Sequence, residues 1–512
     1  MARSKPTSAF RALALAAVLA LTGTGLTACA GGHGSTSNLG SCEVLARYAP
    51  KDGAGGTVKI ATALTGTEGE RFEQSVKRFE ECTGIDIVHE GSDHLEENLR
   101  GRADGTTDWD ADLAVVPQPG LVADLAGEGA LSPLSDVVGA NVELGWDHTW
   151  SAAGTVDGTF YGAPLMASVK SFVWYSPQAF SKAGYEIPTT WDDVVALTDR
   201  IAADHPKGDV TPWCLGMADG GTTGWSMTDW LEETLLATSG ISAYDAWAGH
   251  DVALDSPSAV NALGSVDSLL MRGGHVSGGR QGALSTTMEQ AGQRLVDGSC
   301  LMMLASSSFE TMLPAGTTIT DPKGRGEGGA SGSPTAGGGA TGGGTTTGGE
   351  PVENDSAASD ATTGGGTTTS AGPATSVSAF IFPGAADEDG NPPVLVGGDY
   401  LVSLNRANGT SAAANAVMEY LTSAEWAQQR AELGGVATAN RGVDVSEVSS
   451  DVTVRATRIL QSRQSVIRLD ASDSMPSQVG TDALWTALTS WTAGDLDAKK
   501  ALAQAEAAWP SQ

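Results

Sequence analysis

Along the chain, short apolar runs alternate with stretches in which apolar positions recur every three or four residues. Residues 57–61, 85–88 and 112–116 are such runs. Between the first two, Phe72, Val76 and Phe79 repeat at helical spacing within 69–82, and the repeat stops at Gly84. Residues 95–102 read as a short helix, and Pro117-Gln118-Pro119-Gly120 as the turn closing the third run. This alternation predicts a parallel α/β sheet. It continues with a strand at 171–175, a helix opening at Trp191, a strand at 213–218, helical segments near 226–238, 257–271 and 286–296, and a strand at 300–305. Strands at 380–382 and 400–404 follow, then helices at 411–421, 423–431, 451–462 and 480–491.

Two stretches break this pattern. Residues 315–374 are nearly all Gly, Thr, Ser and Ala, with Gly-Gly-Gly repeats. Such a composition buries too little apolar surface to offset its ordering entropy, so it is expected to be a disordered insertion inside one fold. Residues 30–54, rich in Gly, Ser and Asp, are expected to be a flexible spacer pinned in part at Cys42.

The N-terminus adds an address. Arg3, Lys5 and Arg11 precede an apolar run over 12–21, and Leu26-Thr27-Ala28-Cys29 follows. A basic start, a short apolar run and small residues describe a secretory signal, residues 1–28. The run is too short for a stable membrane span, which takes roughly 20 apolar residues. The ending resembles a bacterial lipobox, in which the Cys takes the lipid and becomes the mature N-terminus. That implies lipidation of Cys29 and an extracytoplasmic protein held at the cell membrane. The plainer reading is cleavage after Ala28, leaving Cys29 as an exposed free thiol outside the cell.

Composition then narrows the function. A length of 512 residues suits two to three domains. Lys+Arg 29 against Asp+Glu 61 gives a net charge of −32, which repels nucleic acid and anionic lipid. Without Cys29, Cys42, Cys82, Cys214 and Cys300 remain. An even number in an exported protein suggests two disulfides, with three possible pairings. Zinc is the competing use, but no CxxC spacing is present, and no metal or cofactor is expected. No P-loop and no G-x-S-x-G elbow occur. His89-Glu90 and His94 miss the zincin pattern, because the two His are five apart and the motif needs four. The abundant Asp and Glu leave a glycosidase pair open.

Several motifs, in this order, resemble the family of extracellular solute-binding proteins of ABC sugar importers, in the maltose- and α-glucoside-binding group. These are Thr65-Gly66-Thr67-Glu68, the helix ending Cys82-Thr83-Gly84-Ile85, and Asp110 through Gly120. Pro212-Trp213-Cys214, Gly224-Trp225 and Thr228-Asp229-Trp230 follow, then Gly397-Gly398-Asp399 and the tail Met475-Pro476, Val479-Gly480, Leu484-Trp485. The resemblance covers about 55–314 and 375–510. It implies two α/β lobes joined by crossing strands with a ligand cleft between them. Lobe one would be 55–165 plus 375–420, and lobe two 166–314 plus 421–512. Pairing Cys42–Cys82 and Cys214–Cys300 then keeps each bridge within one lobe. The implied partners are an oligosaccharide, membrane permease subunits and, through the lipid, the membrane; a monomer is expected, and no enzyme activity.

A sugar needs carboxylates and amides for its hydroxyls and flat aromatic faces for its C–H patches. The resemblance assigns the first role to Glu68, Gln118 and Asp399, and the second to Trp225, Phe309 and Trp485, with Trp230 and Arg441 as secondary candidates. Each residue also has a plainer reading. Glu68 fits the first turn of a helix, and Gln118 and Asp399 fit turns. Trp230, Phe309 and Trp485 fit a helix core, and Arg441 a brace for a carboxylate. Trp225, after Gly224 in a polar loop, suits a core least. Two rival functions remain: a glycoside-active extracellular enzyme with a cleft carboxylate pair, and a sensor presenting its ligand to a membrane signalling partner.

Overall fold

The computed structural model describes residues 42–51, 55–321, 376–387 and 390–510. The expected export signal, Cys29 and residues 322–375 lie outside them. Among the described residues no helix is long and apolar enough to cross a membrane.

Two sheets organise the chain. In the first, strands run in the order Val466–Leu469, Pro393–Leu404, Leu113–Val116, Gly56–Thr62, Ile85–Gly91. Gly56–Thr62 lies parallel to both of its neighbours. Pro393–Leu404 is antiparallel to Leu113–Val116 and to Gly162–Val169. The expected all-parallel sheet is therefore mixed, because Pro393–Leu404 re-enters from the other lobe in the opposite direction. At twelve residues it spans about 40 Å, enough to serve both lobes. The second sheet runs Thr318–Ile319, Ser376–Ile381, Phe172–Tyr175, Cys300–Leu304, Thr211–Trp213. Phe172–Tyr175 and Cys300–Leu304 are buried at every position, as strands covered on both faces must be.

The helices follow the sequence cues. Gly66–Thr83 buries Phe72, Val76 and Phe79, and ends at Gly84, whose φ of 72° suits the left-handed cap. Trp191–Asp204 opens on Thr190 and Asp193, which cap each other's backbone N–H groups. The segment read as a turn at 117–120 instead begins a helix, Pro119–Gly127, with Pro at its first position. Gly120 is needed there, since a Cβ would lie 1.8 Å from the Met475 carbonyl oxygen.

Four expected assignments shift. Residues 42–48 are folded, not spacer: Leu45 and Tyr48 are buried, and the Tyr48 ring lies 5.5 Å from that of Tyr420. The two apolar side chains give this segment its own anchorage, and the Cys42–Cys82 bridge closes it. The fold also continues past 315, because Thr318–Ile319 pairs with Ser376–Val377 in the second sheet. Ser376–Ile381, placed with lobe one by the expected division, likewise lies in the second sheet against Phe172–Tyr175. Conversely, Ala424–Glu432, placed with lobe two, packs on Gly66–Thr83: Trp426 donates its indole N–H to Ser75 Oγ at 3.0 Å. The break expected at 420/421 thus cuts through a helix pair that packs on first-sheet elements.

Candidate functional site

A cleft of about 410 Å³ is lined by residues from both lobes. On the first-lobe side, Glu68 sits in the opening turn of Gly66–Thr83 and Gln118 at the start of Pro119–Gly127. Asp399 lies where the pairing of the crossing strands shifts register between Asp399 and Tyr400. Such a bulge re-aims a side chain, and Asp399 lines the cleft. Arg430 reaches the cleft from Ala424–Glu432.

Across the cleft, Trp225 opens the helix Trp225–Ser239. Its indole N–H donates to Asp219 Oδ2 at 2.7 Å, so the ring is held from its edge. Trp485 packs against Gly224, where φ is 123° and a Cβ would lie 2.7 Å from the Trp485 Cβ; both facts call for glycine. The Trp485 indole N–H is buried and has no hydrogen-bond partner. Phe309 reaches the cleft but sets its ring edge-on to Trp174, 5.6 Å away.

Two expected residues are not in the cleft. Trp230 is 1 % exposed and packs edge-on to Trp213 and Phe382 in the second-lobe core. It stands five residues beyond Trp225, which on a 3.6-residue turn faces another side of the helix. Arg441 pairs with Asp147 at 2.9 Å and does not line the cleft.

The sequence reading missed the charged floor. Lys170 follows the crossing strand Gly162–Val169. Its ammonium lies 3.2 Å from Asp229, 2.5 Å from Asp470 and 3.0 Å from Asp473. Burial works to lower the Lys170 pKa, but the three carboxylates outweigh it and raise it well above the usual value. Burial, and then Asp470, raises the Asp473 carboxyl; burial raises Asp229 against the pull of Lys170. Burial acts on Asp470 too, yet Lys170 and hydrogen bonds from Lys170, the Asp473 N–H and Ser472 hold it below the ordinary range. Asp470 therefore keeps the charge that balances the lysine. Asp399 is raised to about 7 by burial and then by Glu68 and Asp473. Glu68 is raised by burial, with Arg430, Thr311 and Arg71 pulling the other way. No signal along the sequence marks Lys170, because its three partners lie 59 to 303 positions away. Asp229 and Asp473 do lie within or beside segments that carry the family resemblance.

The cleft thus offers an aromatic face, an amide and several carboxylates. Among the described residues no group of three or more His, Cys, Asp or Glu suits a metal ion. The family model of bacterial extracellular solute-binding proteins matches residues 64–428. The chain belongs to this family. Members hold a solute outside the cytoplasm. Among its relatives, the osmoprotective compounds-binding protein GgtB of Synechocystis is 31 % identical over 88 % of this chain and 92 % of its own length. The α-glucosides-binding periplasmic protein AglE of Rhizobium meliloti is 31 % identical over 52 % of this chain and 58 % of its own. Among solved structures, the bacterial solute receptor AcbH, described as having an exclusive preference for β-D-galactopyranose, superposes with a TM-score of 0.66. It covers 89 % of this chain and 98 % of its own at 15 % identity. That likeness establishes the two-lobed fold.

If the Trp225 ring is a wall of the solute site, Trp225→Ala should weaken solute binding by about tenfold, roughly 1.4 kcal/mol. The unliganded melting temperature should fall less than for a fully buried Trp, because Trp225 is only partly buried against the core. Calorimetric titration beside a thermal melt checks both, and unchanged affinity would return Trp225 to a packing role.

Proposed function

We propose that this protein is the substrate-binding lipoprotein of an ABC importer. In this reading it captures a neutral oligosaccharide, an α-glucoside, outside the membrane and hands it to permease subunits. The observation that carries the reading is the cleft itself, where the tethered Trp225 ring shares a space with Gln118, Glu68 and Asp399. Aromatic faces meet sugar C–H patches, and carboxylates and amides meet hydroxyls. The relatives named for osmoprotective compounds and α-glucosides support this solute class. Cys29 would carry the lipid, and the receptor would act as a monomer.

A ligand that binds only the folded state stabilises it by about 2.7 kcal/mol at one hundred times its Kd. A thermal-shift panel of maltose, trehalose, sucrose and matching monosaccharides should therefore contain at least one sugar that raises the melting temperature by several degrees. A shift by peptides with none by sugars would sink the reading. Chromatography of the same incubations should return the sugars intact, and turnover would favour the glycosidase alternative. Cys29→Ser should move the protein from the membrane fraction to the medium.

A further inference from the structure

Arg430 is the least compensated cation lining the cleft. It is 2 % exposed. A guanidinium carries five N–H donors, yet Arg430 makes one hydrogen bond, from Nη1 to the Gly434 carbonyl at 2.8 Å. Its Nε is buried without a partner. Among the described residues no carboxylate stands within ion-pair distance, although Glu68, Asp399 and Glu310 are close enough to act on its charge. Burial lowers its pKa to about 10. Leaving charged donors unmade in a buried site is costly, and such groups in native proteins usually have a partner that belongs there.

Asp399 is its counterpart. This carboxylate lines the same cleft and accepts no hydrogen bond from any described residue. Both residues are rigidly placed. Asp399 sits at a bulge in a paired strand, between Gly398, packed on Trp150, and the buried Tyr400. Arg430 sits on a helix anchored by Trp426, and Gly434 and Gly435, with φ of 80° and 76°, fold the next loop back beneath it.

We infer that Arg430 and Asp399 together form the hydroxyl-pair clamp of the cleft, Arg430 donating to one oxygen and Asp399 accepting from its neighbour on a vicinal diol. This rests on the sugar-receptor reading and sharpens it. Alone, a free buried guanidinium would suit a carboxylate or phosphate. Here, among the described residues, eight Asp and Glu side chains line the cleft against Lys170 and Arg430 as its only cations, so an anionic solute meets repulsion that a diol does not.

The test uses the full chain, with maltose, trehalose and sucrose as probes and, for each that binds, its monodeoxy analogues. In the wild type, removing one hydroxyl of a single vicinal pair should weaken binding about 10- to 100-fold, while removing others matters little. Asp399→Asn and Arg430→Lys should weaken the parent sugar by a similar factor and lose the discrimination against that deoxy analogue. A residue acting only on the fold would lower affinity for parent and analogue alike. If one variant fails to fold, the other variant's loss or retention of that discrimination decides. All monodeoxy analogues binding within about threefold of the parent would overturn the clamp alone, as would a glucuronate-bearing disaccharide binding more tightly than its neutral counterpart. Absence of binding by all three parent sugars and by their monosaccharides would overturn the sugar reading, and the clamp with it.

Discussion

Lys170→Met should cost the protein about 3–5 kcal/mol of folding stability at pH 8, because removing one partner of a buried ionic cluster strands the others. Among the described residues Lys170 is the only cation within ion-pair distance of Asp229, Asp470 and Asp473, and all four side chains are largely buried. Glu232 and Glu233 are buried nearby, and Glu233 is raised to about 8, by burial first. Without the ammonium, the cluster must take up protons or come apart.

The sign of the pH effect follows from the individual groups. Asp229, Asp473 and Glu233 have folded pKa values above their unfolded ones. Each favours the fold most below pH ~4 and loses that contribution as pH rises through its folded value. Asp470 is the opposite case: its depressed pKa stabilises the fold at neutral pH, and that part is lost only in acid. The Lys170→Met penalty should therefore shrink between pH 8 and pH 5, as the raised carboxyls protonate. Denaturant unfolding at the two pH values measures it, and an equal penalty at both would mean that the cluster is not what Lys170 supports.

The second large effect concerns Cys214–Cys300. The bond closes a loop of 86 positions, so opening it should release the unfolded chain by about 4 kcal/mol. Both sulfurs are buried, and the bridge joins Cys300, which begins Cys300–Leu304, to the residue just beyond its parallel neighbour Thr211–Trp213. The pair Cys214→Ala and Cys300→Ala should lower the urea midpoint, with a steeper slope because the freed unfolded chain exposes more surface. A loss under about 1 kcal/mol would show that the unfolded chain gains little freedom.

Much of the fold was written in local pattern. Apolar runs gave the buried strands, and Gly84 gave the end of its helix, since both are decided within a few residues. The antiparallel return of Pro393–Leu404 was not legible, because strand direction depends on where the chain has been. The same holds for the site. Glu68, Gln118, Asp399, Trp225, Phe309 and Trp485 could be named from family-like segments and do line the cleft. Trp230, a secondary candidate whose plainer reading is a helix core, is indeed packed in the core, on a face of the helix away from Trp225. Arg441, a secondary candidate for the solute, takes its plainer role and braces the Asp147 carboxylate. Lys170 and Arg430 stand out only once distant carboxylates and the cleft wall surround them.

The folded N-terminal strap has a mechanical consequence. A pull on the chain ahead of residue 42 ends at the Cys42–Cys82 bond and passes into the last turn of Gly66–Thr83. Neither crossing strand carries that load, nor does the Lys170 cluster. A leash attached there can be drawn taut without prising the two lobes apart.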